Sequence, residues 1–224
     1  DIGSTDRVVV SWPAIQSFVR FLRLPAVEGK KGRDMLEFET RQQIPMPLDQ
    51  VTRDTFTFPL PNGANRLEQM LTLLIAARAR DVEEHLGVFQ QAGISVHVVQ
   101  CDAVALHNWL YFDRLANMPE DTADKKAEGY VVVDVGTETT NVLFSFRNAI
   151  WFRSLRPAGD DLVSAFVQRF KLTREVAQEL IRNPSKAKRL SEVHEEACQV
   201  FQNLAAQIEV CLVEFKRSAS LGVL

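Results

Sequence analysis

The alternation of hydrophobic and polar positions changes period several times along the chain, and each change marks an element. Val8–Trp12 and Phe18–Leu24 read as strands. In the second, Phe18, Leu22 and Leu24 share one parity with Arg20, while Val19 and Phe21 share the other with Arg23. Both faces are mostly apolar, which predicts cover on both sides. Pro13 and Pro25 punctuate the two strands. From Gly32 to Gln43, Met35, Leu36 and Phe38 stand in a polar remainder, the pattern of a surface helix. Ile44-Pro45-Met46-Pro47 ends it, because a proline disfavours helix in the residue before it. Thr52–Phe58 alternates and is rich in β-formers, and Pro59–Asn65 is turn chemistry centred on Pro61-Asn62-Gly63. Met70–Ala77 is an unbroken apolar run, assigned to a strand because a clear helix follows. In that helix Val82, Leu86 and Phe89 recur at helical spacing, and Gly93 is placed to cap its end. Val96–Val99 reads as a short buried strand, and Asp102 as the cap of a helix carrying Val104, Leu106, Leu110 and Leu115. Strands alternating with helices predict an α/β sheet rather than a bundle or a sandwich.

Met118–Gly129 is polar, charged and without periodicity, the mark of a boundary. The organisation expected is therefore 1–118, a linker at 119–129, and 130–224. After it come a strand at Tyr130–Val135, a turn at Gly136-Thr137-Glu138, a strand at Thr139–Phe146, a turn at Arg147-Asn148 and a strand at Ala149–Leu155. Helices follow: Asp161–Phe170, then Arg174–Ile181 capped by Thr173 and stopped by Asn183-Pro184. From Val193 to Phe215 apolar residues recur at steps of three and four, predicting one long helix with a single buried stripe.

Composition narrows the class. Of 224 residues, 46% are hydrophobic and 25% charged, enough for a real core. The 26 basic and 29 acidic residues are interspersed, so the chain offers no nucleic-acid surface. Nowhere do about 18 apolar residues run together, which argues against membrane insertion. The first residues lack the regions of a signal peptide and an initiator methionine, so the stretch reads as a cut from a longer protein. Cys101, Cys198 and Cys211 are an odd set that predicts free thiols in a reducing compartment. Cys198 and Cys211 on one helix would lie roughly 20 Å apart and cannot bond. The four histidines are scattered without ligand spacing, so no metal centre of their own is expected.

The chemistry concentrates in Asp134-Val135-Gly136-Thr137-Glu138-Thr139-Thr140. A buried strand ends in an aspartate, and Gly136 permits a tight turn where backbone can approach a ligand. Thr137, Thr139 and Thr140 add hydroxyls beside exposed N–H groups, and successive N–H groups form an anion-binding concavity. Asp134 would hold a magnesium-bound water, since magnesium keeps several waters and takes few carboxylates. An ordinary β-turn with a solvated Asp and Thr is the plain alternative. Asp1-Ile2-Gly3-Ser4-Thr5 has phosphate-turn composition too, but Val8-Val9-Val10 follow too soon for a hairpin, so it reads as a lead-in to a strand.

In these surroundings the chain resembles the type IV pilus assembly protein PilM family, bacterial members of the actin-like ATPase superfamily related to the division protein FtsA. Asp134–Asn141 is similar to the family's second phosphate hairpin, and Arg153-Ser154-Leu155 with Ala158-Gly159-Asp160-Asp161-Leu162 to its strand-to-helix junction. Val8–Pro13 and Arg20–Pro25 resemble two of its strands. Glu39 with Ile44-Pro45-Met46-Pro47-Leu48 resembles its most recognisable helix end. Ala92-Gly93-Ile94, Asp102 and Ala105 resemble a later strand-and-helix segment. The likeness runs in order over nearly the whole chain.

The resemblance implies an actin-like (ribonuclease-H-like) ATPase fold, incomplete, with mixed sheets flanked by helices. It implies an accessory subdomain plus part of the first lobe before the linker, and part of the second lobe after it. The family's first phosphate hairpin and its Gly-Gly adenosine turn have no counterpart here, so an internal fragment is expected. By the same likeness ATP and magnesium are cofactors of the full-length protein, none held tightly by this stretch, with Asp134, Gly136, Thr137, Thr139, Thr140, Gly159 and Gln178 as contacts and Asp134 reaching magnesium through water. Two departures bear on this. Where the family has Ala-Glu-x-x-Lys the chain reads Ala177-Gln178-Glu179-Leu180-Ile181, losing a ribose partner and a charge, and Ala158 stands where glycine is usual, which would restrict that turn.

The leading functional reading is a cytoplasmic scaffold at the inner face of the membrane, in a type IV pilus or type II secretion platform. It would grip the cytoplasmic tail of a PilN-like single-pass membrane protein between the accessory subdomain and the first lobe, and meet other platform proteins. The sequence does not name the groove residues; exposed apolar residues near Phe18–Leu24 are candidates, although the stretch reads as core. A catalytic ATPase or sugar-kinase-like enzyme is a second reading, with at most weak ATPase activity; no base distinct from structural acids stands out, and Glu138 reads as a solvated turn residue. A third keeps the fold and drops the nucleotide.

Overall fold

A computed structural model describes residues 6–25, 27, 29–58, 69–117 and 128–220. Asp1–Thr5, the Pro59–Asn65 turn and nearly all of the 119–129 stretch lie outside these residues. The chain divides into two compact units, one of Asp1–Tyr130, Leu143–Trp151 and Ser218–Leu224, the other of Val131–Val142 and Phe152–Arg217.

In the first unit, strand β1 (Val9–Trp12) and strand β5 (Val98–Cys101) pair in parallel, Val9 opposite Val98 and Trp12 opposite Cys101. The N–H groups of His97 and Val98 both donate to the Val8 carbonyl, at 2.9 and 3.3 Å. That anchor starts β5 two residues later than the apolar pattern suggests, because the partner sets the register. Helix α2 (Ala79–Gln91) ends at Gly93, whose φ is +73° and whose N–H donates to the Gln90 carbonyl. Helix α3 (Asp102–Asp113) opens on the Asp102 carboxylate, which accepts from the N–H of Ala103 at 2.6 Å and of Ala14 at 2.9 Å. Trp12, Ala77 and Val82 form a core with Leu86 and Val99.

Between β1 and α2 the chain builds an antiparallel sheet of strands β2 (Phe18–Pro25), β3 (Val51–Thr57) and β4 (Gln69–Arg78), in the order β2-β4-β3. Central β4 buries both faces at Thr72, Leu73, Leu74 and Ala76, which is why its sequence is an apolar run and not an alternation. Helix α1 (Gly29–Gln43) covers one face, with Met35 and Leu36 packed on Leu22, Leu24, Ile44 and Leu74. The two-sided cover read for β2 holds only in part: Leu22 and Leu24 are buried, but Val19 and Phe21 are half-covered on this edge strand.

Strands β6 (Gly129–Val135), β7 (Thr140–Phe146) and β8 (Ala149–Leu155) form a third sheet in the order β6-β7-β8. Every residue of β7 from Thr140 to Ser145 is buried. In the second unit, helices α4 (Gly159–Phe170) and α5 (Arg174–Arg182) pack through Val163, Phe166 and Ala177, joined by Val193 of helix α6 (Leu190–Ser220). Thr173 caps α5, its hydroxyl accepting from the Val176 N–H. On α6, Val193 and Cys211 are buried while Phe201 is 53% exposed, so the single stripe is only partly covered. All three cysteines are free thiols.

Candidate functional site

The turn between β6 and β7 is built from backbone. The Gly136 N–H donates to the Thr139 carbonyl at 3.0 Å, closing it. Its two outward carbonyls are also in use: Gly159 N–H donates to the Gly136 carbonyl at 2.9 Å, and Asp160 N–H to the Thr137 carbonyl at 2.7 Å. The turn thus caps the first N–H groups of α4, groups that a helix cannot satisfy internally. The contact with α4 explains Gly159, and the closure of the turn on itself explains Gly136. A Cβ on Gly159 would lie 3.2 Å from the Gly136 oxygen, and one on Gly136 would lie 2.9 Å from the Thr139 oxygen.

The strand-to-helix link is pinned from both sides. Thr140 is fully buried and its hydroxyl donates to the Pro157 carbonyl at 2.9 Å, so it holds the link and does not face solvent. The Asp161 carboxylate accepts from the Ala158 N–H at 2.8 Å. Ala158 has φ −144° and ψ −169°, extended backbone that alanine adopts freely, so its side chain places no restriction on this turn. Asn141 accepts from the Ser154 hydroxyl at 2.5 Å, tying β7 to β8 beside it.

The sequence-predicted residues therefore divide. Gly136, Thr137, Thr139, Thr140 and Gly159 come together around one junction. Asp134 is exposed near the end of β6. Gln178 is half-buried on α5, one turn beyond Arg174, whose guanidinium pairs with Asp160 at the start of α4. Ile181 packs into the α4–α5 core, so it has a structural post where the family carries a lysine. The N–H groups of Thr137, Glu138 and Thr139 donate to no acceptor among the described residues. With the exposed Asp134 carboxylate they fit a phosphate and its magnesium water shell. The start of α4 does not add to them, because its N–H groups are spent on the turn and Asp160 and Asp161 occupy its first turn. No group of three metal-ligating side chains occurs among the described residues.

A second feature lies within the first unit. A cavity of about 290 Å³ opens where the ends of the β2-β4-β3 sheet meet α2, lined by Phe18, Ile44, Met46 and Val51, with Arg78 and Asp81 also on its wall. The sequence reading offered the Phe18–Leu24 stretch for a groove, and Phe18 alone of that stretch lines this cavity; Ile44, Met46 and Val51 were not among its candidates. The signal available was Ile44-Pro45-Met46, which was legible as a helix stop and whose two apolar side chains both line the cavity.

Comparison with known proteins gives a consistent result. The family model described as "Type IV pilus assembly protein PilM" matches residues 4–220. No curated protein matches the sequence. Among solved structures, the "PilM-PilN type IV pilus biogenesis complex" is similar with a TM-score of 0.78 at 20% identity, covering 96% of this chain and 60% of that one. The chain thus spans about three-fifths of that relative's length. The cytoplasmic domain of EpsL, an inner-membrane component of the type II secretion system of Vibrio cholerae, is similar at 14% identity over 67% of this chain and 51% of that one, with a TM-score of 0.41 too low to bear on the argument. The fold is the actin-like α/β fold.

Proposed function

Because the chain belongs to the type IV pilus assembly protein PilM family, we propose that it is a cytoplasmic scaffold of a pilus inner-membrane platform. In this reading it holds the cytoplasmic tail of a PilN-like single-pass membrane protein in the 290 Å³ cavity beside the β2-β4-β3 sheet. The observation that carries the reading is the place of Ile44 and Met46: the segment most similar to the family's helix end supplies two walls of that cavity. An apolar floor with Arg78 and Asp81 beside it suits an extended peptide, one anchoring side chain sinking in while polar groups fix direction. A solved relative in complex with PilN supports a partner of this kind. No helix among the described residues is long and apolar enough to cross a membrane, so attachment in this reading runs through the partner. The test is calorimetric titration of the partner's tail peptide into the full-length protein, wild type and Met46→Glu. A carboxylate in the apolar cavity should weaken binding by about tenfold or more. Equal affinity would refute the assignment.

Nucleotide is the second part of the proposal. Thr137, Glu138 and Thr139 N–H groups would hold a phosphate, and Asp134 a magnesium-bound water. Magnesium, when bound, would neutralise phosphate charge. Ile181, packed in the α4–α5 core, brings no charge to a nucleotide, so weak binding is expected. Magnesium-ATP titrated into the full-length protein should bind more weakly to Asp134→Ala; identical isotherms would remove the hairpin from the account.

A further inference from the structure

We infer that the end of α5 and its link to α6 form a contact surface for anionic phospholipid, by which the protein meets the inner leaflet of the membrane directly. The inference rests on the placement at the inner face of the membrane proposed above, and not on the tail cavity. Residues 182–189 hold Arg182, Lys186, Lys188 and Arg189 and no acid, in a chain whose net charge is −3. All four residues are exposed. The link is nevertheless built. The Lys186 N–H donates to the Asn183 carbonyl at 3.1 Å and the Ala187 N–H to the Pro184 carbonyl at 3.0 Å, which makes one tight helical turn over Pro184–Lys186. The Asn183 amide donates to Glu179 Oε1 at 2.8 Å, and Ala187 packs against the α4–α5 core. The fold thus fixes the backbone here and leaves the cations outside.

Two acids answer part of this charge. Glu179 accepts from Lys186 at 2.9 Å and Glu192 from Arg189 at 3.0 Å. Lys186 is 68% and Arg189 76% exposed even in these pairs, so water screens both and each is readily exchanged for another anion. Lys186, then Asn183 and more weakly Arg182, hold the Glu179 carboxyl below the usual range, so one acid serves two cations. Lys188 has no ion pair among the described residues. By helical rise Glu175 stands about 10 Å back along α5 and Glu195 about 9 Å beyond Arg189 on α6. Glu196 is paired with Arg169. Four cations against two nearby acids leave a positive surplus. Leu190 follows at once and is 53% exposed. Cations beside an exposed aliphatic side chain suit the boundary of headgroups and acyl chains, where phosphate meets the charges and the leucine leaves water. The remaining residues of the chain are net acidic, so an anionic leaflet attracts this edge and repels the bulk, which orients the protein. Such a patch binds weakly and reversibly by itself; with a protein partner it supplies the second of the two signals that stable attachment needs.

The test is co-sedimentation of the full-length protein, without partner, with vesicles of phosphatidylcholine alone or mixed with about one-third phosphatidylglycerol. The protein should pellet with the anionic vesicles only, and be released as salt rises. Arg182→Gln with Lys188→Gln should lower that partitioning by more than about tenfold, since each cation near such a surface contributes about fivefold. Arg182→Lys with Lys188→Arg should retain it, and Leu190→Ser should weaken it while keeping the preference for anionic lipid. Binding that ignores lipid charge, or that is unchanged in the double Gln variant, overturns the inference. Inorganic phosphate at the phosphate concentration of the vesicles should leave the protein bound; release would replace the leaflet by a discrete phosphate site. Tighter binding to a DNA duplex than to the anionic vesicles would overturn the assignment to lipid. The assay contains no partner, so its failure leaves the tail-binding reading standing.

Discussion

His107 should make the first unit acid-sensitive in a measurable window. It lies on α3, only 5% exposed, its Nδ1 2.7 Å from the Ser145 hydroxyl, with the rings of Phe58 and Tyr111 alongside. Burial lowers its pKa from 6.5 to about 4. Between those values the unfolded chain binds a proton that the folded protein refuses. Stability is therefore complete above about pH 6.5, falls as pH drops through the window, and levels off below about 4. At about 1.4 kcal/mol per pH unit the loss amounts to about 3 kcal/mol. His107→Asn keeps a side chain able to bond Ser145 and removes the titration. Urea unfolding from about pH 7 to about pH 4.5 would be compared for the two proteins, since carboxylates titrating in the same range contribute equally to both. The variant should start less stable and lose less. Parallel loss in the two proteins, or an imidazole that titrates near 6.5 by NMR in the folded state, would refute the reasoning.

Three other outcomes follow from the packing. Thr140→Val should cost about 1–2 kcal/mol in urea unfolding, because the buried Pro157 carbonyl loses its donor, whereas Thr140→Ser should keep most of the stability. Ile181→Lys should destabilise by about 1–2 kcal/mol by placing an ammonium in the α4–α5 core, while Gln178→Glu should be tolerated; a neutral Ile181→Lys would mean the helix pair is looser than its contacts imply. In thiol labelling Cys198 should react first, and Cys101, whose pKa burial and then the Asp102 carboxylate push up to about 12, only on unfolding. Early modification of Cys101 would contradict its placement.

Periodicity carried the fold where burial is one-sided or complete. The apolar run of β4 was readable because a strand buried on both faces cannot alternate, and the Thr173 cap because its hydroxyl acts within one turn. A boundary set by a distant partner was not readable: β5 starts where Val8 holds it. The site divides the same way. Gly136 was legible because a tight turn is local chemistry. The use of the turn's carbonyls to cap α4 is invisible, since a backbone acceptor carries no residue signature. The apolar cavity draws Phe18 from β2, Ile44 and Met46 from the link after α1, Val51 from β3 and Arg78 from β4, segments that share no motif.

The β2-β4-β3 sheet also bears on the order in which the first unit assembles. Val8 and His97, which bond across the parallel β1–β5 pair, are 89 positions apart. Closing a loop of that size from a disordered chain is entropically costly and slow. The sheet completes itself inside that interval, and its first and last strands of chain, β2 and β4, run side by side with Phe18 opposite Ala76. Once it forms, the points where the chain enters and leaves it are neighbours, and the loop left to close contains little beyond α2. The accessory sheet is thus a kinetic clasp, and weakening it should delay the parallel pair more than it lowers that pair's final stability.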